Sequence, residues 1–188
     1  MAVPPITLAT WADAEGCSAL LTLAFSSDPP SRWAWPDPRQ YLDAFPRFVR
    51  AFAGRSFDLG AAYRLGDFSG VALWLPPGTL PDEEALTDLI RRSVAEHLQD
   101  AMFTMFEQMS GFHPREPHWH LPLIGVDPKE QAKGYGSALL IGVLGKEKVP
   151  RTDNSVARHG GRRLRLPQNE LITGDSPSAI RRAIVCEW

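Results

Sequence analysis

The chain lacks most of the features that would place it at once. Its two cysteines, Cys17 and Cys186, stand far apart and form no metal-ligand spacing. This excludes a cysteine metal site and fits a buried, apolar-like residue plus a tail thiol in a reducing compartment. No uninterrupted apolar run is long enough to span a bilayer, and Met1-Ala2-Val3-Pro4-Pro5 lacks the basic start and apolar run of a signal peptide. The expectation is a soluble cytoplasmic protein with no membrane partner. A formal net charge of -2 gives no reason to expect a polyanion, so nucleic acid is not an expected partner. There are no internal repeats and no low-complexity tracts. The three tyrosines, Tyr41, Tyr63 and Tyr135, all precede the last quarter of the chain.

What is present is ordinary for a globular protein: 188 residues, 44% apolar and 22% charged. That length fits a single domain over residues 1–188, able to bury roughly 70% of its unfolded surface. Charge is uneven, with nine Lys/Arg against five Asp/Glu in residues 146–188. The run Arg158-His159-Gly160-Gly161-Arg162-Arg163-Leu164-Arg165 could contact phosphates, but a solvated segment is the favoured reading.

The order of elements follows from periodicity and punctuation. Ile6 to Ala9 reads as a strand. Thr10-Trp11-Ala12-Asp13 resembles a capping box leading into a helix that buries Cys17, Leu20, Leu21 and Phe25. A loop holding Trp33 and Trp35 follows. A second helix then uses Tyr41/Leu42, Phe45, Phe48/Val49 and Phe52, with Pro46 bending or starting it. Ala61–Leu65 and Gly70–Leu75 form a hairpin across Gly66-Asp67-Phe68-Ser69. Pro81-Asp82-Glu83-Glu84 opens a long helix reaching Met109, with a break near Asp100, its methionines read as core filler. The expected class is α/β (α+β), with helices covering a sheet.

The most informative stretch comes next. An apolar strand, Leu121 to Val126, ends in Asp127-Pro128, and Gln131-x-x-Gly134-x-Gly136 leads into Ser137-Ala138-Leu139-Leu140-Ile141. Glycines allow close backbone approach, and a helix start offers unpaired N–H groups with partial positive charge. That combination suits a pyrophosphate. A Rossmann reading is disfavoured, because the third glycine of that fingerprint is absent, and no Walker lysine pattern occurs.

With its flanking strand, Leu123-Ile124-Gly125-Val126-Asp127-Pro128-x-x-Gln131-x-x-Gly134-x-Gly136-Ser137-Ala138 resembles the acetyl-CoA-binding motif of the GNAT N-acetyltransferases. Glu116-Pro117-His118-Trp119 before it is similar to the puromycin N-acetyltransferase-like branch. The likeness covers about residues 4–141, and residues 142–188 diverge. It implies a mostly antiparallel central sheet flanked by helices and an acetyl-CoA co-substrate. It also implies direct acetyl transfer to a primary amine of a small molecule or peptide. Main-chain groups of Leu123, Ile124, Gly125 and Val126 would meet the pantetheine. The loop Gln131-Ala132-Lys133-Gly134-Tyr135-Gly136-Ser137 would hold the pyrophosphate. Lys133 could add charge there or point to water, and Tyr135 is read as local packing.

The resemblance departs in two places. The family's C-terminal tyrosine, often the acid for the leaving sulfur, aligns with Val156 in Val156-Ala157-Arg158-His159-Gly160-Gly161, and valine donates no proton. Only twelve residues separate Ser137 from Pro150. A helix of about 11–12 residues and a strand of about 5–6 do not both fit there. Beyond about Leu140 the C-terminal strands are therefore expected to be incomplete or atypical, through an altered reading frame or an internal deletion. A catalytically defective protein that binds CoA weakly, or acts as an interaction module, is the competing reading. An unpaired central strand would also favour self-association into a homodimer.

For catalysis the candidates are Glu116, His118 and His120, each weighed against a structural or solvent-facing role. His118-x-His120 has a spacing a metal can use, yet no third ligand accompanies it, so no metal is expected. Trp33, Trp35 and Trp74 are candidate walls of an acceptor pocket, against a core role for each.

Overall fold

Aspartate followed by proline starts three helical segments in this chain. The structure is a computed structural model that describes residues 3–112, 114 and 116–144. Asp28 caps α2 (Pro29–Ala34), its carboxylate accepting the Ser31 N–H at 3.0 Å. Asp37 caps α3 (Pro38–Ala53) by accepting from Arg39 N and Gln40 N, both at 2.9 Å. Asp127 does the same for a 3-10 turn over Pro128–Glu130, accepting from Lys129 N at 2.9 Å. In each case proline occupies the first helical position, where its missing N–H costs nothing.

These caps correct the expected loop around Trp33 and Trp35. Pro29-Pro30 begins a short helix containing Trp33, and Trp35 ends it, buried. Pro46 lies inside α3 and does not start it. Tyr41 takes the buried position of the expected Tyr41/Leu42 pair, while Leu42 stays exposed. The predicted capping box is present: the Thr10 N–H donates to the Asp13 carboxylate at 2.9 Å, just before α1 (Ala14–Ala24). Cys17, Leu20 and Leu21 of α1 are buried as expected, with Phe25 partly buried beside them. A single-turn helix, α4 (Arg55–Asp58), follows α3.

Among the described residues, four strands form one antiparallel sheet in chain order: β1 (Ile6–Leu8), β2 (Ala62–Leu65), β3 (Gly70–Leu75) and β4 (His120–Val126). The β2–β3 hairpin is the predicted one, with Leu65 opposite Gly70. β4 pairs with β3 in regular register from Val126 opposite Gly70 to Leu123 opposite Leu73. The register then slips, so that Leu75 faces His120. The extra residue falls at Leu121-Pro122, and a proline cannot donate to a ladder, so a bulge belongs there.

The expected long helix is two helices, α5 (Glu83–Ser93) and α6 (Glu96–Phe112), and the break falls at Val94-Ala95 rather than near Asp100. Val94 is extended (φ −97°, ψ 139°). The terminal carbonyls of α5 are taken by side chains: Gln40 Nε2 donates to Ser93 O, and Gln99 Nε2 donates to Val94 O at 3.0 Å. Capping from outside the helix ends it where its own periodicity would have continued.

Helices α1, α3, α5 and α6 cover one sheet face around Val71, Leu73 and Leu123, with an aromatic file through Tyr41, Phe45, Phe48 and Phe52. Met102 sits in that core, as filler. α7 (Tyr135–Leu144) covers the other face with Tyr63, Ala72, Trp74 and Leu139. This is the expected layered arrangement of helices on an antiparallel sheet. Val156, the Arg158–Arg165 run, Cys186 and residues 145–150, the last part of the stretch expected to lack room for a further strand, lie outside the described residues.

Candidate active site

Hydrogen bonds at the strand ends decide which main-chain groups of β4 face outward. Trp74 N–H donates to Ala61 O at 3.1 Å, so the even-numbered residues of β3 face β2. Asp127 N–H donates to Ser69 O at 3.1 Å, so the odd-numbered ones face β4. By the alternation of an antiparallel ladder, Gly125 and Leu123 direct their N–H and C=O to β3. Ile124 and Val126 direct theirs away from it, along the edge of the described sheet. Of the four strand residues expected to meet a cofactor, these two present their main chain there. Leu123 and Gly125 serve packing. A Cβ on Gly125 would lie 3.0 Å from both Ala24 Cβ and Leu21 Cδ2, so the glycine lets α1 close onto β4.

The turn beyond β4 is built from its own residues. After the capped 3-10 turn, Ala132 and Gly134 both take left-handed backbone, φ +63° and +79°. Gly134 O accepts the N–H of Ala138 at 2.9 Å, which makes Gly134 the residue before the first turn of α7. The N–H groups of Tyr135, Gly136 and Ser137 then have no acceptor inside the helix. Gln131, Ala132, Lys133 and Gly134 are exposed, Gly136 and Ser137 half-buried, and Tyr135 buried against the sheet. The acidic groups here are engaged internally. Asp127 caps the 3-10 turn, and Glu130 accepts from Lys133 Nζ at 2.7 Å. That contact with Glu130 raises the Lys133 pKa above its ordinary value. A row of helix-start amides with its neighbouring carboxylates already partnered fits a diphosphate. Lys133 reaches such a ligand only by sharing or leaving Glu130.

At the opposite end of β4 stand the candidate proton-transfer groups. His120 begins the strand beside the bulge, opposite Leu75. His118 is half-buried, with Nδ1 2.9 Å from Glu116 O. A carbonyl only accepts, so Nδ1 carries the proton of the neutral ring and Nε2 carries the lone pair. Glu116 is exposed. Among the described residues no group of three or more His, Cys, Asp or Glu side chains could hold a metal ion.

The three tryptophans do not converge. Trp33 and Trp35 line one shallow pocket with Phe25, Phe48, Met102, Met105, Phe106 and Leu123, and its free room is about 30 Å³. Trp74 is buried on the opposite sheet face, under α7. Sequence reasoning missed Phe25, Met105, Phe106 and Asp28 as lining residues. They come from α6 and from the turn between α1 and α2, and only the tertiary packing brings them to Leu123.

No protein-family model matches the chain. A solved structure described as histone acetyltransferase HPA2 and related acetyltransferase, from Corynebacterium glutamicum ATCC 13032, superposes with a TM-score of 0.54. The two are 24% identical, and the match covers 77% of this chain and 71% of that one. The fold is GNAT-like. No helix among the described residues is long and apolar enough to cross a membrane.

Proposed function

We propose that the protein is an acetyl-CoA-dependent N-acetyltransferase acting on a primary amine of a small molecule or peptide. One observation carries the reading. In a GNAT-like fold, the outward main chain of Ile124 and Val126 runs directly into a turn whose helix-start amides fit a diphosphate. Acetyl-CoA supplies an activated thioester carbonyl. The chain's own groups bind it by the 131–137 amides, align it along β4, and bring the reacting end toward the bulge at Leu121-Pro122. The amine nitrogen forms a bond to the carbonyl carbon, the carbon–sulfur bond breaks, and the products are an amide and the CoA thiol. The proton lost by nitrogen goes to a base, with His118 Nε2, His120 and Glu116 as the candidates, and an equal proton is needed at sulfur. The puromycin N-acetyltransferase-like branch, carried by Glu116-Pro117-His118-Trp119, and a cytoplasmic location belong to this same reading.

One observation favours the second reading, a CoA-binding protein without turnover. All three tyrosines are committed to the interior: Tyr41 donates to Thr22 O at 2.7 Å, and Tyr63 and Tyr135 are buried in the cluster under α7. Burial pushes the hydroxyl pKa of Tyr41 and Tyr63 up, away from proton donation. Calorimetric titration with acetyl-CoA, joined to a thiol-release assay over a panel of amines, separates the two. Binding with thiol release supports the enzyme, binding without release supports the module, and absence of both refutes each.

A further inference from the structure

We propose that Glu130 is a latch on Lys133: it holds the lysine ammonium while the 131–137 turn is empty and yields it to the diphosphate when CoA binds. Glu130 is then a positioning residue that sets cofactor affinity through Lys133. The proposal takes its ligand from the acyl-transfer reading above and adds to it how that site is tuned.

The contact is built by the backbone. Lys133 Nζ donates to Glu130 Oε2 at 2.7 Å. The three residues between the two ends are not helical. Ala132 and Gly134 flank Lys133 and both hold left-handed backbone, φ +63° and +79°, which folds the chain back toward the 3-10 turn. A residue with a Cβ takes that conformation only at a cost, so Ala132 is held there by the turn around it. Glu130 is fixed from its own side, its N–H donating to Asp127 O at 2.7 Å. After Glu130, Tyr135 and Asp127 also act on the ammonium, and so it lies close to the first residue of α7 and the open amides that follow.

The two side chains keep only 35% and 32% of their surface exposed, so the pair is less screened than one standing free in water. A diphosphate on the 135–137 amides brings negative charge within reach of the same ammonium, and the Glu130 carboxylate repels it. Exchange follows: one ion pair opens as another closes, and Lys133 adds little net affinity. A coenzyme that must leave after every turnover is better held that way than tightly.

The test is a double-mutant cycle on the full chain. Glu130→Gln, Lys133→Gln and the double variant are titrated with CoA and with ADP by calorimetry, with thermal melts to confirm folding. Glu130→Gln should bind both probes about three- to tenfold more tightly. Lys133→Gln should cost about twofold in the unsubstituted chain and about tenfold in the Glu130→Gln background. Added salt should weaken CoA binding more steeply in Glu130→Gln, where an ion pair is gained, than in the unsubstituted chain, where one replaces another. Lys129 of the same turn makes no ion pair among the described residues, so Lys129→Gln should cost the same factor in both backgrounds. Unchanged or weaker binding in Glu130→Gln would overturn the latch. So would an equal cost of Lys133→Gln in both backgrounds, which would leave Glu130 a simple repelling charge. Thiol release from acetyl-CoA over an amine panel keeps the two ideas apart. Coupling between the two positions without thiol release sinks the acyl-transfer reading alone, thiol release with additive variants sinks the latch alone, and no binding of either probe to any form overturns both.

Discussion

Alanine at Gly134 isolates the backbone demand of the turn from every other effect. Gly134 holds φ +79°, and a Cβ added there would meet nothing within 4 Å. No clash contributes, so the whole cost is the left-handed conformation, about 1–2 kcal/mol for a residue with a Cβ. Without ligand, the altered turn can relieve that cost by leaving the left-handed region, which rotates the amides before Tyr135. Binding the diphosphate must pull it back. Acetyl-CoA affinity should then fall roughly 5- to 30-fold in Gly134→Ala. Gly136 is the control. It lies within α7 without a positive φ, and its Cβ would touch only Val126 Cγ2, at an ordinary 3.8 Å. Gly136→Ala should therefore change affinity less than about threefold, since alanine suits a helix better than glycine. Calorimetry on both variants, with thermal melts to confirm folding, decides the matter. Equal affinities for Gly134→Ala and the unsubstituted chain, or a larger loss in Gly136→Ala, would refute the reasoning.

Other expectations follow from the packing. Ser93 Oγ accepts the Trp35 indole N–H at 3.0 Å and donates to Leu89 O at 2.7 Å, all buried. Ser93→Ala strands that indole donor and should cost about 1–3 kcal/mol in urea unfolding, with no loss meaning the contact is idle. Burial pushes the Cys17 thiol up to about 12 from an ordinary 9.0. The unfolded chain loses that proton first, so this contribution is fully present below about pH 9 and is lost as pH rises toward 12. The unfolding free energy from urea melts should fall above pH 9 by up to about 1.4 kcal/mol per pH unit from this group, a slope that Cys17→Ala reduces and that an unchanged slope would contradict. Hydrogen bonds from Thr10, with Arg64 nearby, hold the Asp13 carboxyl below its ordinary value. That contribution is lost as pH falls through the folded value, and Asp13→Asn should flatten the acid limb of the stability curve. The outward edge of β4 should favour homodimers, so gel filtration over a range of concentrations should show a shift toward twice the monomer mass.

Local chemistry made part of this molecule readable before any coordinates. The β2–β3 hairpin, the Thr10–Asp13 box and the 131–137 turn are written in neighbouring residues, by turn glycines, caps and strand periodicity. The missed features are tertiary. Gln40 and Gln99 end α5 by reaching its carbonyls from α3 and α6, which no helical period signals. Asp28-Pro29 is the same aspartate–proline helix start that opens α3 at Asp37-Pro38, a local signal that the loop expected around Trp33 and Trp35 passed over. All six residues of β3 are buried, so Gly70 to Leu75 shows no alternation of apolar and polar; the strand period puts Trp74 and Leu73 on opposite faces but does not say which helices cover each. The same holds for β4. Only its register with β3 reveals that Ile124 and Val126, not Leu123 and Gly125, offer their amides at the edge.

The most direct test of a diphosphate held by helix-start amides is amide chemical-shift mapping of the full chain titrated with CoA. The account predicts saturable shifts concentrated at Ile124, Val126 and residues 132–137, with Leu123 and Gly125 less affected. Shifts confined to other segments, or none at saturating CoA, would contradict it.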